Sequence, residues 1–441
     1  MEQWTADLAN LIWGLPLVIL LVASGIFFTI YFGFPQIRFF KYAIEIVVGK
    51  HDRPEDKGEI SHFQALCAAL SATVGLGNIA GVAVAITLGG PGAVLWLWLA
   101  GFIGMCTKFT EVTLSLLYRQ VNPDGTVNGG PMFVIKNGLS KHFMPLAWMY
   151  AIFTILSSMG AGNMFQANQM ASVVFATTGI PAWASGLVFC LMAALILIGG
   201  IKRIGKVTGK LVPFMVMIYF LGAISVVIHH YDQIPYAFNL IFEGAFKGTA
   251  AIGAFSGVAV KEVIILGIKR ASFSNEAGMG SSAMAHSAAK STPIEEGIVA
   301  LLEPFIDTIV VCTITALSII LTDSWQLSGI EGSDMTAHAF QSVLGPWGRY
   351  IVTLTVTLFA FSTMISWSYY GEQGVTFIFG KKFIPVYRVI FIAMIYVGAI
   401  TKLNIVLNLS DAFYGMLAFP NIIACYFLLP KVKEALRNFK A

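Results

Sequence analysis

The chain has 441 residues, of which 57% are hydrophobic and 11% charged, with a net charge of +4. Soluble domains carry about a quarter charged residues, so this composition excludes an ordinary soluble domain and predicts a polytopic membrane protein. The basic residues are scattered rather than clustered, which excludes a nucleic-acid surface. The five cysteines all fall in apolar stretches, and their spacing predicts neither a metal site nor a disulfide framework.

Apolar runs of roughly 20 residues or more predict eleven spans, at about 9–33, 62–90, 91–118, 145–177, 181–200, 209–229, 259–289, 294–321, 349–379, 382–400 and 404–430. The first is preceded by Glu2 and Asp7 and is longer than a signal h-region, so it reads as a retained span. Alternate loops carry twenty Lys and Arg, from Arg38 and Lys41 to Arg437 and Lys440, whereas the opposite loops carry Lys247, Arg349 and Lys402. The positive-inside rule then puts the N-terminus outside and the C-terminus in the cytoplasm of a multi-pass cell-membrane protein.

The second span is interrupted. Ser71–Gly81 reads SATVGLGNIAG, with Gly75, Gly77 and Gly81 among polar Ser71, Thr73 and Asn78. Each glycine costs up to ~1 kcal/mol of helix propensity, and broken backbone in lipid leaves polar groups unpaired. Such a stretch persists where a ligand or another helix satisfies the freed groups. The seventh span has a matching interruption at Phe273–Ser282, FSNEAGMGSS, about 200 residues later. Spans two to six and seven to eleven correspond at that offset, and short amphipathic segments near Pro131–Gly138 and Asp334–Leu344 follow the second member of each half. Five spans per half is an odd number, so the halves are inserted upside down. The expected fold is all-α: eleven transmembrane helices as a 5+5 inverted repeat after one extra N-terminal helix, the first helix of each repeat broken. The expected boundaries are 1–60, 61–230, 231–430 and a cytoplasmic tail 431–441. No function is assigned to the extra first span.

Glu276 lies in the second interruption, where no residue can face lipid. Three roles suit it: pairing with a bound ammonium or metal cation, structural hydrogen bonding, and proton carriage. The fourth span carries Asn163, Gln166 and Gln169 as one polar stripe beside Phe165, and the ninth carries Ser362 and Ser366 with Thr363 and Trp367 one step round. Lys108 and Glu111, three apart, read as a structural ion pair. Glu303 and Asp307, four apart, suit a gate or a second cation site. His286 and His338 are lone histidines without an assigned role.

Gly89–Glu111, GGPGAVLWLWLAGFIGMCTKFTE, resembles the signature of the alanine or glycine:cation symporter family, and FSNEAGMGS at Phe273–Ser281 is a second family-like stretch. The resemblance covers essentially the whole chain. More distantly, VGLGN at Val74–Asn78 is similar to the first broken helix of the neurotransmitter:sodium symporter fold, that of the leucine transporter. This implies a substrate carboxylate near Gly75 and Gly77, with Thr73 and Asn78 near an ion or the amino group. It implies a sodium site formed by Ser71 and Val74 with Phe359, Ser362 and Thr363. It also implies that Phe273, Ser274, Asn275, Glu276 and Trp367 face the substrate, and Phe165 and Gln166 are the fourth-span candidates beside them.

The expected function is a secondary symporter for small neutral amino acids, alanine and glycine, driven by Na⁺, which is cargo, with no cofactor and no covalent chemistry. Proton coupling through Glu276 or Asp307 is the alternative within transporters. A cation channel is the alternative from another class; it requires a continuous pore with rings of charge or carbonyls, which one pair of interruptions does not supply.

Overall fold

A computed structural model describes residues 2–53, 55–247, 260–327, 329–330, 332–401 and 403–439. Lys402 and Lys440 of the charge count lie outside the described residues, as does position 259 at the start of the seventh expected span.

The described residues are mostly helical. Taken in order, α1 (Glu2–Ile12) and α2 (Leu15–Phe32) precede the first broken pair, α3 (His62–Thr73) and α4 (Val82–Gly89). Next come α5 (Ala93–Leu117), α6 (Met144–Met159), α7 (Phe165–Thr178), α8 (Ala182–Leu197) and α9 (Gly200–His229). The second broken pair is α10 (Val260–Asn275) and α11 (Ala283–Ser287), followed by α12 (Pro293–Ala300), α13 (Thr313–Leu321), α14 (Pro346–Phe379), α15 (Ile384–Ile400), α16 (Leu403–Gly415) and α17 (Ala418–Asn438).

Among the described residues, eight helical stretches are long and apolar enough to cross a membrane, and the pair His62–Thr73 and Gly77–Gly89, bent by 51°, makes a ninth. The other two expected spans differ for separate reasons. Ala182–Leu197 is apolar but has only 16 residues. Val260–Asn275 carries Lys261, Glu262, Lys269 and Arg270 and ends at its interruption. Long apolar side chains face outward along the outer helices, for example Leu187, Leu191 and Leu195 on α8 and Val386, Val389 and Ile390 on α15. In water this surface would be costly; against lipid tails it is the ordinary outer face of a bundle.

Helices were found at Pro131–Gly138 and Ser333–Leu344, close to the expected amphipathic segments. Two further short helices, Phe40–Val47 and Ile234–Lys247, fall in stretches read as loops. The fourth span also departs from its expected regularity: residues Gly160–Met164 form a π-helical turn between α6 and α7. A π-turn inserts a residue and rotates everything after it, so the polar stripe Asn163–Gln166–Gln169 is split.

The first span is not peripheral. Trp13 Nε1 donates to the Asp411 carbonyl at 2.7 Å, and its indole stacks on Tyr414 with centroids 6.2 Å apart. A side chain at Gly278 (φ 96°) would overlap Leu21 of α2, so this span lies directly against the second interruption.

Candidate functional site

The two interruptions have different local causes. The capping box Ser61–Gln64 starts α3, and Val74 ends it in an extended conformation (φ −71°, ψ 96°). The Asn78 side chain then turns back, and its Oδ1 accepts from Gly75 N at 2.7 Å, closing the break. In the second interruption, Asn275 Oδ1 accepts from Ala277 N at 3.0 Å. Glu276 adopts φ 57°, and Gly278 and Gly280 follow at 96° and 72°. A left-handed backbone at a non-glycine residue costs of order 1 kcal/mol or more, and here it aims a carboxylate inward.

The interruptions touch. A Cβ at Gly77 would stand 3.2 Å from Ser274 Cα. Both are also tied to Asp307, in a π-helical stretch Phe305–Cys312 between α12 and α13. Asn78 Nδ2 donates to Asp307 Oδ1 (2.7 Å) and to its carbonyl (2.9 Å), and Ser274 Oγ donates to Asp307 Oδ2 (2.8 Å), which also accepts from Thr308 (2.8 Å).

Beside this junction is a small cavity, about 20 Å³ when measured over the centres of a water-sized sphere. One wall is the first interruption: Ala72, Thr73, Gly75, Leu76 and Gly77. Ala161 and Gln166 come from the fourth span, Phe273 and Glu276 from the seventh, Thr363 and Trp367 from α14, and Tyr414 from α16. Trp367 and Phe273 both pack on the Tyr414 ring, at 5.9 and 5.3 Å between centroids. Glu276 Oε1 accepts from Trp367 Nε1 at 3.2 Å and Oε2 accepts from Ser281 Oγ. Among the described residues no Lys or Arg forms an ion pair with Glu276. Gln166 Nε2 donates to the Ala161 carbonyl at 3.0 Å, while its buried Oε1 has no partner.

Four residues expected at the substrate do not line this cavity. Asn78 and Ser274 are turned away to Asp307. Asn275 is held by Thr308 (3.0 Å) and by its own turn. Phe165 stands behind Phe273, edge to face at 6.1 Å. Asn163 is turned out as well, donating to the Phe391 carbonyl at 2.6 Å. Sequence reasoning missed Ala72, Leu76, Ala161 and Tyr414. The only signal for Tyr414 is indirect: Lys269 in the seventh span and Asp411 in the eleventh are unmatched charges in sequence and form an ion pair at 3.3 Å.

Next to the cavity is a cluster of neutral oxygens between α3 and α14. Ser71 Oγ donates to the Ser362 carbonyl (2.7 Å), Ser362 Oγ to the carbonyls of Ser71 (3.2 Å) and Phe359 (2.9 Å), and Thr363 Oγ1 to the Ser71 carbonyl (3.2 Å). Ser366 Oγ, which the ion-site expectation omitted, reaches Ser71 Oγ at 3.0 Å. Val74 is buried at the end of α3. Thr363 belongs to both the cluster and the cavity wall, and a Cβ at Gly75 would approach its Oγ1 to 3.0 Å.

The remaining acids are paired differently from expectation. Lys108 pairs with Glu303 at 3.1 Å, not with Glu111. Glu111 instead accepts from Gly278 N (2.9 Å) and Asn421 Nδ2 (2.6 Å), bracing the second interruption. Spacing along one helix favoured the i, i+3 pair; the close approach of the segment after α12 supplies a better-placed acid.

The description of the sodium:alanine symporter family matches residues 1–441. The chain belongs to the sodium:alanine symporter family. Proteins that it resembles include the sodium/alanine symporter AgcS of Methanococcus maripaludis, 40% identical over 436 residues, 98% of this chain and 95% of that protein. The probable sodium/glutamine symporter GlnT of Bacillus subtilis is 34% identical over 435 residues, 98% of this chain and 89% of that one. Among solved structures, MhsT in complex with L-phenylalanine matches with a TM-score of 0.54 at 16% identity, covering 85% of this chain and 99% of MhsT. A manganese transporter of Eremococcus coleocola matches with a TM-score of 0.51 at 13% identity, covering 85% and 78%. These likenesses give the leucine-transporter-like fold. This sodium:alanine symporter family chain is a multi-pass transporter, not an enzyme.

Proposed function

We propose that the chain is a symporter that takes up small neutral amino acids, alanine and glycine, with Na⁺. The observation that carries this reading is Glu276: a buried carboxylate with no ion-pair partner among the described residues, facing a small cavity between two helix interruptions. An α-amino acid supplies the missing cation. Its ammonium suits Glu276 and the unpartnered Gln166 Oε1, with Thr73 beside them. Its carboxylate suits the start of the second half-helix at Gly75–Gly77, where the dipole favours an anion. Asn78, Ser274 and Asn275 then act by holding the interruptions, and Phe165 by backing Phe273. The cavity size, with Phe273, Trp367 and Tyr414 around it, favours a hydrogen or methyl side chain over glutamine.

Na⁺ is assigned to the oxygens of Ser71, Val74, Phe359, Ser362 and Thr363, with Ser366 added. Because Thr363 also borders the cavity, ion and amino acid each raise the other's affinity by the same factor. Transport proceeds by alternating access, with eleven spans arranged as a 5+5 inverted repeat (61–230 and 231–430) after residues 1–60 and before the tail 431–441. The N-terminus is assigned to the outside and the C-terminus to the cytoplasm of the cell membrane.

The test is uptake of radiolabelled alanine into proteoliposomes under an imposed Na⁺ gradient, with K⁺ and pH gradients as controls. Uptake driven by Na⁺ and competed by glycine is expected. Uptake that follows the pH gradient and ignores Na⁺ would overturn the ion assignment.

A further inference from the structure

Two buried histidines, one of them the lone His286 of the sequence, lie on the two oxygens of one buried carboxylate. His62 opens α3, and its Nδ1 is 2.6 Å from Glu296 Oε2; His286 lies in α11, and its Nδ1 is 2.7 Å from Glu296 Oε1. The outer nitrogens also face acids. His62 Nε2 is 3.7 Å from Asp52 at the exposed loop, and His286 Nε2 is 3.6 Å from Glu303, which in turn pairs with Lys108. His286, Glu296, Glu303 and Lys108 are fully buried and His62 nearly so.

An ionised carboxylate only accepts hydrogen bonds, so each Nδ1 facing Glu296 must carry a hydrogen. A neutral His286 would then turn the lone pair of Nε2 toward a second acceptor, Glu303. A proton on Nε2 removes that conflict. Within this ion-paired cluster the charge count agrees: Glu296 and Glu303 are two buried acids, and Lys108, paired with Glu303, balances only one of them. An uncompensated buried charge is costly, and an imidazolium at His286 supplies the second cation. The neighbouring charges are otherwise engaged. Arg53 pairs with Glu295 at 2.9 Å, and Arg119 donates to the carbonyls of Lys57, Ser287, Ala289 and Ser291. Glu111 and Glu276 are held as described above, and Asp56 stands with Asp52 on the loop before α3.

We propose that His62, Glu296 and His286 form a latch that holds one proton, on His286, while the basic face of the transporter is closed. The latch joins α3, the first half of the first interruption, to α11 and α12, which follow the second. Backbone bonds run alongside it: Glu59 N and Ile60 N donate to the Ala288 carbonyl (2.7 and 3.2 Å), and Lys290 N to that of Ile60 (2.8 Å). Opening the cavity to this face separates these elements and lets water reach Glu296, after which the imidazolium is no longer required and the proton leaves to bulk. Closure takes it up again. Low pH therefore holds the latch shut, and rising pH favours opening. The inference rests on the alternating-access reading above.

Two measurements test it, and they fail separately. The first is equilibrium exchange of labelled alanine in proteoliposomes with equal Na⁺ and equal pH on both sides, from about pH 5 to about pH 8. Wild-type exchange should rise roughly threefold or more with pH, within the tenfold per unit that one proton allows. His286→Gln and Glu296→Gln should exchange at a rate independent of pH, whereas His62→Gln should keep the rise. The second needs no transport. Spin labels at Lys57→Cys and Lys290→Cys, both exposed, with the five native cysteines buried, should report a longer-distance population that grows several-fold with pH in wild type and is pH-independent in His286→Gln. Absence of Na⁺-dependent alanine uptake at every pH would overturn the transport reading and leave the label distances to decide the latch. A pH-independent wild-type distance overturns the latch even if no variant folds, as does an unchanged slope in a folded His286→Gln protein.

Discussion

Asn78 Nδ2 lies 2.7 Å from Oδ1 of Asp307, and the opposite oxygen of the same carboxylate takes the Ser274 hydroxyl at 2.8 Å. One side chain on the eighth span therefore fastens both helix interruptions. Asp307→Ala removes the carboxylate from Asn78, Ser274 and Thr308; Asn78 keeps the backbone carbonyl of residue 307, and the other two buried hydroxyls lose their acceptor at ~1–3 kcal/mol each. We expect loss of alanine uptake together with a lowered melting temperature in detergent. Asp307→Asn keeps an acceptor oxygen and should retain part of both. Full activity in the alanine variant would remove Asp307 from this role.

Glu276→Gln preserves shape and can still accept from Trp367. It removes only the charge. Hydrogen bonds to charged groups contribute about 1.5–3 kcal/mol, so alanine affinity should fall roughly ten- to a hundredfold, measured by ligand-induced thermal shift or by competition. Unchanged affinity would mean that Glu276 is a hydrogen-bonding strut and not a counter-ion.

Thr363→Val removes one oxygen from the cluster on α14 while nearly keeping volume. The Na⁺ concentration giving half-maximal uptake should rise by about tenfold, the equivalent of ~1.4 kcal/mol, and the apparent alanine affinity should weaken with it. A shift in alanine affinity alone would place Thr363 on the cavity side only.

Trp367→Ala should admit larger neutral amino acids as competitors of alanine uptake, and unchanged selectivity would take Trp367 out of the pocket. The facing wall gives a complementary test. A Cβ at Gly162 would overlap the Trp367 side chain, and overpacking of this kind costs about 1–3 kcal/mol. Gly162→Ala should therefore impair uptake of alanine itself.

Glu59, on the loop before α3, accepts from Val127 N at 2.9 Å. Its carboxyl is raised above the usual range by burial, against the opposing effect of that amide and of Lys202 and Lys381. A raised carboxyl contributes stability when protonated, and that contribution is lost as pH rises through its folded value. Glu59→Gln should therefore melt higher than wild type at neutral pH, with the difference vanishing below about pH 4. A difference independent of pH would point to a packing effect instead.

The interruptions themselves were legible because their cause is local: glycines and small polar residues within Ser71–Gly81 and Phe273–Ser282 weaken a helix wherever they occur. What those residues touch was not. The resemblance implied that Asn78 and Ser274 lie at the substrate, but neither it nor the helical register carries information about Asp307 approaching from another span. The polar stripe on the fourth span assumed a continuous α-helix, and the π-turn at Gly160–Met164 rotates Asn163 toward Phe391. Lys108 was matched to its neighbour on the same helix because the approach of Glu303 is a tertiary event. The polar residues before Tyr414, Asn408, Ser410 and Asp411, did not by themselves place its ring in the cavity wall, and Trp13, which supports it, lies outside the repeat.

The Trp13–Asp411 bond joins residues 398 positions apart. At ~5–20 residues per second, roughly 20–80 s separate the emergence of the two from the ribosome. The first helix enters the bilayer long before the residue it braces exists. Through that interval Trp13 lacks its Asp411 and Tyr414 partners, and the cavity's last wall arrives only with Tyr414. The transporter therefore becomes competent late and all at once, so a chain truncated before α16 is expected to insert and yet fail to bind.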